Sequence, residues 1–345
     1  MKTRVCRLYD KHDIRVEIET VAEPGAGEVL VQMGAGGICG SDLHYYHDGG
    51  FGPIRVREPI ILGHEIAGTV RAIGDGVDSL SIGDRVAVNP SHPCGHCKYC
   101  AQGHFQHCLE MRFLGSALRF PHEQGGFREF MLVAEPQCVA VGAGTTLGEA
   151  ACSEPLAVCV HAANRAGDLA GKKVLVTGAG PIGALCAAVA RHRGASEIVV
   201  TDLQEATLAV AEKMGATRTI NVASAPAAMD AYAADKGYFD VVFECSAAQA
   251  ALRTAIAAIR PMGKIVQVGV AGDVPIPLNF LVGKEIELIG THRFHAEFAE
   301  AVDLITSTAI DVKPIITATF PLDDALQAFA AAGDRSRSVK VQLAF

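Results

Sequence analysis

One glycine-rich turn restricts the possible folds of this 345-residue chain more than any other feature. The apolar run at residues 173–177 predicts a strand buried on both faces of a parallel sheet. It leads into Gly178-Ala179-Gly180-Pro181-Ile182-Gly183, and a helix-forming stretch at residues 184–192 follows at once. A strand, a Gly-x-Gly-x-x-Gly turn and a helix in this order predict a dinucleotide-binding unit.

The three glycines and the proline of the turn each have a role in that prediction. Gly178 permits the tight turn, Gly180 lets the backbone approach a pyrophosphate, and Gly183 lets helix and strand pack closely. Pro181 suits the first helical turn, where its missing N–H is not needed, and Ile182 follows it. The helix N-terminus there favours the negative charge of a phosphate.

The next predicted strand, residues 197–201, ends at Asp202, nineteen residues beyond Gly183. At this position we expect the carboxylate to accept hydrogen bonds from the adenosine ribose and to repel a 2′-phosphate. The predicted cofactor is therefore NAD rather than NADP. The alternative is a doubly wound domain that keeps such glycines without a nucleotide. Alternating strand and helix patterns over residues 155–290 predict an α/β, doubly wound parallel sheet.

The first 150 residues have a different pattern. Short apolar segments at residues 28–33, 68–74 and 84–88 alternate with turn residues and predict a β-rich, barrel-like or sandwich domain. Beyond residue 290 we expect a helix over residues 294–307 and a closing strand over residues 338–343, which can pack on the first domain.

Four cysteines lie close together in the β-rich part: Cys94, Cys97, Cys100 and Cys108. Four thiolates leave no position open for substrate, so they predict a structural zinc site. An iron–sulfur cluster is the alternative, but its common bacterial pattern places the fourth cysteine after three residues and before proline. Here seven residues intervene and Leu109 follows.

A second set of candidate ligands consists of Cys39, His64 and Glu65, which we expect to lie in loops between strands. Sulfur, nitrogen and oxygen donors together suit a catalytic zinc with a fourth position for water or substrate. A buried His64–Glu65 hydrogen bond without a metal is the alternative reading of the dipeptide.

Composition excludes several classes of function. The net charge of -8 argues against a nucleic-acid surface, and no apolar run is long enough to span a bilayer. The N-terminal residues lack the apolar segment of a signal peptide. Eleven cysteines without such a signal predict a reducing, cytoplasmic location.

These motifs together resemble the zinc-dependent medium-chain alcohol and polyol dehydrogenases along essentially the whole chain. The matching segments are residues 37–44, 63–74, 83–86 and 153–156, together with the four-cysteine loop and the dinucleotide turn. The resemblance implies a GroES-like catalytic domain over residues 1–154, completed by residues 291–345, and a Rossmann domain over residues 155–290. It also implies two zinc ions per chain, NAD, and a homotetramer or homodimer.

Within the family the chain looks most like sorbitol-type enzymes, and among these like L-idonate 5-dehydrogenases, through residues 116–121 and 124–127. The resemblance implies that Cys39 and His64 bind the catalytic zinc. Glu65 matches the adjacent glutamate of polyol members, and Glu154 matches another carboxylate that is bound directly or through water. Whether Glu65 or Glu154 ligates zinc directly stays open.

The same resemblance implies that Ser41 accepts the substrate proton and that His44 passes it on. The expected reaction is oxidation of a secondary alcohol of a polyol or aldonate to a ketone. An aldonate carboxylate requires cations, and Arg119 and Arg293 are the preferred candidates. Sorbitol, xylitol or L-threonine oxidation is one alternative, and a non-catalytic protein that binds zinc and a nucleotide is another.

Overall fold

The first 166 residues fold into short strands, mostly paired antiparallel, and three helices. The structure, a computed structural model, describes residues 1–270 and 272–345. The strands are β1 (Lys2–Asp10), β2 (Asp13–Thr20), β3 (Glu28–Gly37), β4 (Gly50–Phe51), β5 (Ile54–Arg55), β6 (Ile60–Ile61), β7 (Glu65–Ile73), β8 (Arg85–Val88), β9 (Ser91–His92), β10 (Arg112–Phe113), β11 (Phe130–Ala134) and β12 (Cys138–Ala140). The helices are α1 (Gly40–Asp48), α2 (Leu147–Ala151) and α3 (Ser153–Ala166).

The middle of the chain forms the parallel sheet that the glycine-rich turn predicts. Its strands are β13 (Lys173–Thr177), β14 (Glu197–Asp202), β15 (Arg218–Asn221), β16 (Phe239–Glu244), β17 (Ile259–Gln267) and β18 (Glu287–Gly290). The helices between them are α4 (Pro181–His192), α5 (Glu205–Lys213), α6 (Asp230–Ala233), α7 (Gln249–Ala258) and α8 (Leu278–Lys284). The strand order β15-β14-β13-β16-β17-β18 confirms the doubly wound fold.

The C-terminal part returns to the first sheet, through α9 (Glu297–Thr306), β19 (Ile316–Pro321), α10 (Ala325–Gly333) and β20 (Lys340–Ala344). Strand β20 pairs antiparallel with β3, and β19 pairs parallel with β20. The resulting order is β12-β8-β7-β3-β20-β19, with β11 also paired to β3. Both ends of the chain therefore build the sheet that carries the candidate metal ligands.

Three predictions of local structure are wrong in detail. Strand β3 does not end before Gly34 but continues to Gly37, because β7 and β20 pair with its last residues on either side. Glu65 is not in a loop, since it opens β7. The helix predicted from residue 294 begins at Glu297, because the backbone at Arg293 is left-handed, with φ of 51°.

The domain boundary at residues 154 and 155 stays a prediction, and α3 runs across it. Within residues 1–270 and 272–345, no helix has both the length and the apolar character needed to cross a bilayer.

Candidate metal and cofactor sites

Three candidate ligands of the catalytic metal meet where β3 and β7 pair. Gly37, the last residue of β3, lies opposite Glu65, the first residue of β7. One ligand atom from each of Cys39, His64 and Glu65 lies within 4.8 Å of the other two. His64 and Glu65 are buried and Cys39 is half-buried. The pairing of the two strands therefore assembles the cluster from segments that are distant in sequence.

Asp42, for which the sequence predicts no individual role, orients two of these groups. Its buried carboxylate accepts hydrogen bonds from the backbone N–H of Cys39 at 2.9 Å and of Gly63 at 3.4 Å. Asp42 Oδ1 also lies 3.7 Å from His64 Nδ1, which leaves Nε2 of His64 available to a metal. The sequence signal for Asp42 is its capping position, three residues after Cys39 at the start of α1.

Lys340 is a second residue of the site that the sequence did not reveal. Its Nζ donates to Glu65 Oε1 at 2.6 Å and to the Ile38 carbonyl at 3.1 Å. Burial alone would lower the pKa of Lys340, but the charges of Glu65 and Cys39 raise it above its usual value. The ammonium group therefore stays protonated in the buried site.

The donor atoms of the cluster fit zinc. Glu65 Oε2 is buried and has no hydrogen-bond partner among the described residues. A buried carboxylate oxygen without a partner is costly, and a cation beside it removes that cost. A thiolate, an imidazole and a carboxylate form the mixed set that zinc accepts while keeping a position for water or substrate.

Glu154 lies in the first turn of α3 and is buried. It is outside the group whose ligand atoms lie within 4.8 Å of one another. Burial raises the pKa of Glu154 to about 7, and the charge of Glu65 adds to this shift while those of His64 and Lys340 oppose it. Glu154 thus shares the electrostatic environment of the cluster, and direct ligation by Glu154 stays a prediction.

The four cysteines of the second predicted site come together as one group. The Sγ atoms of Cys94, Cys97, Cys100 and Cys108 lie within 4.8 Å of one another. The backbone N–H of Cys94 donates to Cys108 Sγ at 3.2 Å, and that of Cys97 donates to Cys94 Sγ at 3.4 Å. Backbone donors lower the pKa of Cys97 to about 6. Burial raises the pKa of Cys100 to about 12, so backbone donors favour the thiolate at Cys97 and not at every position. Four sulfurs this close together fit a closed tetrahedral zinc site.

The glycine-rich turn has the geometry that its sequence predicts. Gly178 has φ of 87°, in the left-handed region that favours glycine. A Cβ added at Gly183 would overlap the Gly178 carbonyl oxygen, so only glycine permits this helix–strand contact. Gly180 precedes α4, and Pro181 and Ile182 are its first two residues. The N-terminus of α4 therefore begins at the glycine-rich turn, where its dipole favours a phosphate group.

Asp202 ends β14 beside this turn. Its Oδ2 accepts a hydrogen bond from the Ala179 N–H at 2.6 Å. Its Oδ1 accepts hydrogen bonds from the N–H groups of Leu203 at 2.7 Å and Gln204 at 2.9 Å. The carboxylate thus fixes the turn in addition to its predicted contact with a ribose.

An arginine from the C-terminal part of the chain lies over the same turn. A Cβ added at Gly180 would be 2.6 Å from Nη1 of Arg335. Arg335 is exposed and lies between α10 and β20. The guanidinium and the N-terminus of α4 both place positive charge beside Gly180, which favours an anion there.

The two predicted substrate arginines have different surroundings. The Arg293 guanidinium carbon lies 3.9 Å from the centre of the Phe113 ring. Burial lowers the pKa of Arg293, and the charges of Glu154 and Tyr45 oppose that shift. Arg119 donates from Nε to the Met111 carbonyl at 3.2 Å and from Nη2 to the Leu109 carbonyl at 2.5 Å. Arg293 therefore contacts an aromatic ring that also lies 5.4 Å from the ring of His64, whereas the Arg119 guanidinium donates to carbonyls of its own part of the chain.

The predicted proton relay residues both lie on α1. Ser41 is half-buried, two residues after Cys39. His44 is exposed, and its Nδ1 lies 3.0 Å from Asp48 Oδ2. Ser41 thus lies nearer the metal cluster in sequence, and His44 lies at the solvent on the same helix. Their roles stay predictions.

A parallel dinucleotide-binding sheet, a closed four-cysteine site and an open mixed-ligand site together define a zinc-type dehydrogenase. Residues 25–143 match the alcohol dehydrogenase GroES-like domain, and residues 181–307 match the zinc-binding dehydrogenase family. The chain belongs to this zinc-binding, GroES-like dehydrogenase family, as the sequence motifs predicted.

Relatives in the family match along nearly the whole chain. The sequence is 42% identical to L-idonate 5-dehydrogenase (NAD(P)(+)) of Escherichia coli K12 over 100% of this chain and 99% of that protein. It is 35% identical to sorbitol dehydrogenase of Bacillus subtilis over 94% and 92% of the two chains. The crystal structure of L-idonate 5-dehydrogenase from Escherichia coli K-12 superposes with a TM-score of 0.95 at 41% identity, covering 100% of this chain and 99% of that one.

Proposed function

We propose that this protein oxidises the secondary alcohol of a sugar acid to a ketone with NAD, with L-idonate as substrate and 5-keto-D-gluconate as product. The observation that carries the proposal is the half-buried Arg293 guanidinium, which lies over the Phe113 ring, and that ring is 5.4 Å from the ring of the candidate ligand His64. A cation in this position meets the carboxylate of an aldonate, which a neutral polyol lacks. Similarity over the full length to an L-idonate 5-dehydrogenase supports the same substrate.

Three side chains would hold the catalytic zinc: Cys39, His64 and Glu65. When bound, zinc supplies a Lewis acid that lowers the pKa of an alcohol, and NAD supplies the hydride acceptor. Asp42 keeps His64 Nε2 directed at the metal position, since it faces Nδ1. Burial of the cluster excludes water and strengthens each electrostatic contact within it.

The alcohol carbon loses a hydride and its hydroxyl loses a proton, so that a C=O bond forms. Ser41 accepts the hydroxyl proton, and His44 receives it and releases it to solvent. The exposed ring of His44 supports this final step, because its Nδ1, 3.0 Å from Asp48 Oδ2, lies at the solvent-facing side of the helix.

Asp202 supports NAD as the cofactor, because its carboxylate would repel a 2′-phosphate. The name of the Escherichia coli relative includes both NAD and NADP, so both cofactors belong in the assay. The experiment that tests the proposed function is a comparison of kcat/KM for L-idonate, sorbitol, xylitol and L-threonine with each cofactor. Preference for L-idonate with NAD supports the proposal, whereas preference for sorbitol or threonine contradicts it.

Metal content separates an enzyme from a non-catalytic protein of the same fold. Two zinc ions per chain are expected, one for each ligand group. A single zinc that is lost on Cys97→Ser substitution, in a protein without dehydrogenase activity, would support the non-catalytic alternative.

We also infer that the chain forms a homodimer or homotetramer. Strand β18 is at the end of the parallel sheet order, and the helix that precedes it, α8, carries three large exposed apolar side chains: Leu278, Phe280 and Val282. An unpaired edge beside apolar surface favours pairing with a second copy. Sedimentation of wild type and Val282→Asp tests this, and a monomeric wild type would contradict it.

A cytoplasmic location belongs to the same proposal. None of the eleven cysteines forms a disulfide, which fits a reducing compartment. Fractionation of the source cells followed by an activity assay tests the location.

A further inference from the structure

The four-cysteine loop contacts the segment that carries Arg293. We call residues 94–108 the zinc loop. Between its third and fourth cysteines, the zinc loop presents Phe105 and His107. The ring of Phe105 stacks on His295 with centroids 4.0 Å apart and planes inclined by 26°. The ring of His107 stacks on His292 with centroids 5.8 Å apart and planes inclined by 19°. The two stacked histidines thus flank Arg293 on both sides in sequence.

The strands at the base of the zinc loop contact Arg293 itself. Strand β9 precedes the loop, β10 follows it, and the two strands pair. Phe113 of β10 lies under the Arg293 guanidinium, and its ring also lies 5.4 Å from that of His64. One structural unit therefore contacts the arginine, both flanking histidines and a ligand of the catalytic metal.

The segment at residues 291–296 requires such support. It lies between β18 and α9 and has no regular secondary structure. Arg293 adopts a left-handed backbone conformation, which is unfavourable for a side chain with a Cβ and persists only when its surroundings fix it. Phe294 is buried in the core, so the chain is anchored next to the arginine.

The opposite side of the segment is tied to α3. Glu297 accepts hydrogen bonds from the His295 N–H at 2.9 Å and from Asn164 Nδ2 at 3.0 Å, and its Oε1 lies 2.9 Å from His161 Nδ1. Helix α3 also carries Glu154 in its first turn. On its other side the zinc loop contacts the segment through the Phe105–His295 and His107–His292 stacks, which connect it to the four-cysteine site.

We propose that the zinc loop is a positioning element for substrate recognition. Its rings at Phe105 and His107 hold His295 and His292, and thereby place the Arg293 guanidinium for the substrate carboxylate. The proposal rests on the proposed function, because it requires an aldonate substrate. It assigns to the four-cysteine site an effect on specificity in addition to stability.

The test is a double-mutant cycle across the His107–His292 stack. The variants are His107→Ala, His292→Ala and the double variant. His104→Ala is the matched control, because His104 is an exposed imidazole of the same loop outside the stacks described here. For each, KM and kcat are measured with L-idonate and with sorbitol, zinc content is determined, and hydrogen–deuterium exchange is followed in residues 291–297.

Each single variant should raise KM for L-idonate about five- to tenfold, with little change in kcat or in KM for sorbitol. KM of the double variant for L-idonate should be no higher than that of either single variant, because each single substitution already removes the same contact. Exchange in residues 291–297 should be faster while two zinc ions stay bound. His107→Phe, which keeps a stacking ring, should restore KM.

Additive effects, an equal loss with sorbitol, or an unchanged KM for L-idonate would overturn the positioning role. If His107→Ala loses zinc, KM of the His292→Ala variant still tests the positioning role, because this substitution leaves the zinc loop intact. A wild-type enzyme that uses sorbitol but not L-idonate refutes the proposed substrate. A wild type that uses L-idonate, with a His292→Ala variant of normal KM, refutes only the positioning role.

Discussion

Lys340 and Glu65 form a buried ion pair, with Nζ 2.6 Å from Oε1 and each side chain 2% exposed. The two residues are 275 positions apart and meet because β20 pairs with β3 and β3 pairs with β7. Lys340 thus engages one oxygen of Glu65, and the other oxygen has no hydrogen-bond partner in residues 1–270 and 272–345. Glu65 can therefore bind a metal only in competition with Lys340, or through its second oxygen.

Removal of Lys340 should be strongly destabilising. In the metal-free protein, Lys340→Met leaves a buried carboxylate without a cation, and we expect the free energy of unfolding to fall by about 3–5 kcal/mol. Urea denaturation measures this change. Lys340→Arg, which keeps the charge, is the control, and the double variant Glu65→Leu/Lys340→Met should recover much of the loss. A change below about 1 kcal/mol in Lys340→Met would show that the pair is not desolvated as described.

The sequence predicts groups whose spacing is local and, from the types of their donor atoms, the Cys39–His64–Glu65 cluster, but it misses the contacts that Lys340 and Phe113 make with distant residues. The dinucleotide turn and the four cysteines each lie within about fifteen residues, so their geometry follows from local rules. Lys340 looks like any charged residue of a C-terminal strand, and none of its neighbours in the sequence indicates an ion pair with Glu65. In the sequence, Phe113 likewise looks like any aromatic residue of the core. Only the structure shows that the Arg293 guanidinium lies over its ring.

Asp42 should affect metal binding without contacting the metal. Asp42→Asn weakens the orientation of His64, and we expect zinc affinity at the catalytic site to fall about 10–100-fold. Competition with a chelator measures the affinity of each of the two zinc ions. Asp48→Asn on the same helix, where the side chain is exposed, is the matched control. Zinc affinity equal to that of wild type would exclude an orienting role for Asp42.

Asp202 should determine the choice of cofactor. Asp202→Asn removes the negative charge beside the ribose position, so kcat/KM with NADP should rise relative to that with NAD, roughly tenfold in the ratio. Because Asp202 also accepts three backbone hydrogen bonds, thermal unfolding must be measured in parallel. A folded variant with the cofactor ratio of wild type would contradict the assignment.

Arg335 should contribute to cofactor affinity. Its guanidinium lies beside Gly180 at the N-terminus of α4, where a pyrophosphate would bind. Arg335→Ala removes one charge-assisted hydrogen bond and should raise the dissociation constant for NADH about tenfold. Fluorescence titration with NADH measures it. Arg337 is an exposed neighbour in the same loop, and Arg337→Ala should leave the dissociation constant unchanged. An equal effect of both variants would show that any loss of positive charge there weakens NADH binding.

Arg293 should discriminate between an aldonate and a neutral polyol. Arg293→Ala removes the cation for the substrate carboxylate, and KM for L-idonate should rise about 10–100-fold, as expected for loss of a charged hydrogen bond. KM for sorbitol should change much less, because sorbitol has no carboxylate. Arg119→Ala is the comparison, and we expect a smaller rise because its Nε and Nη2 already donate to backbone carbonyls. If Arg293→Ala affects sorbitol as strongly as L-idonate, the arginine supports the site in general and does not recognise the carboxylate.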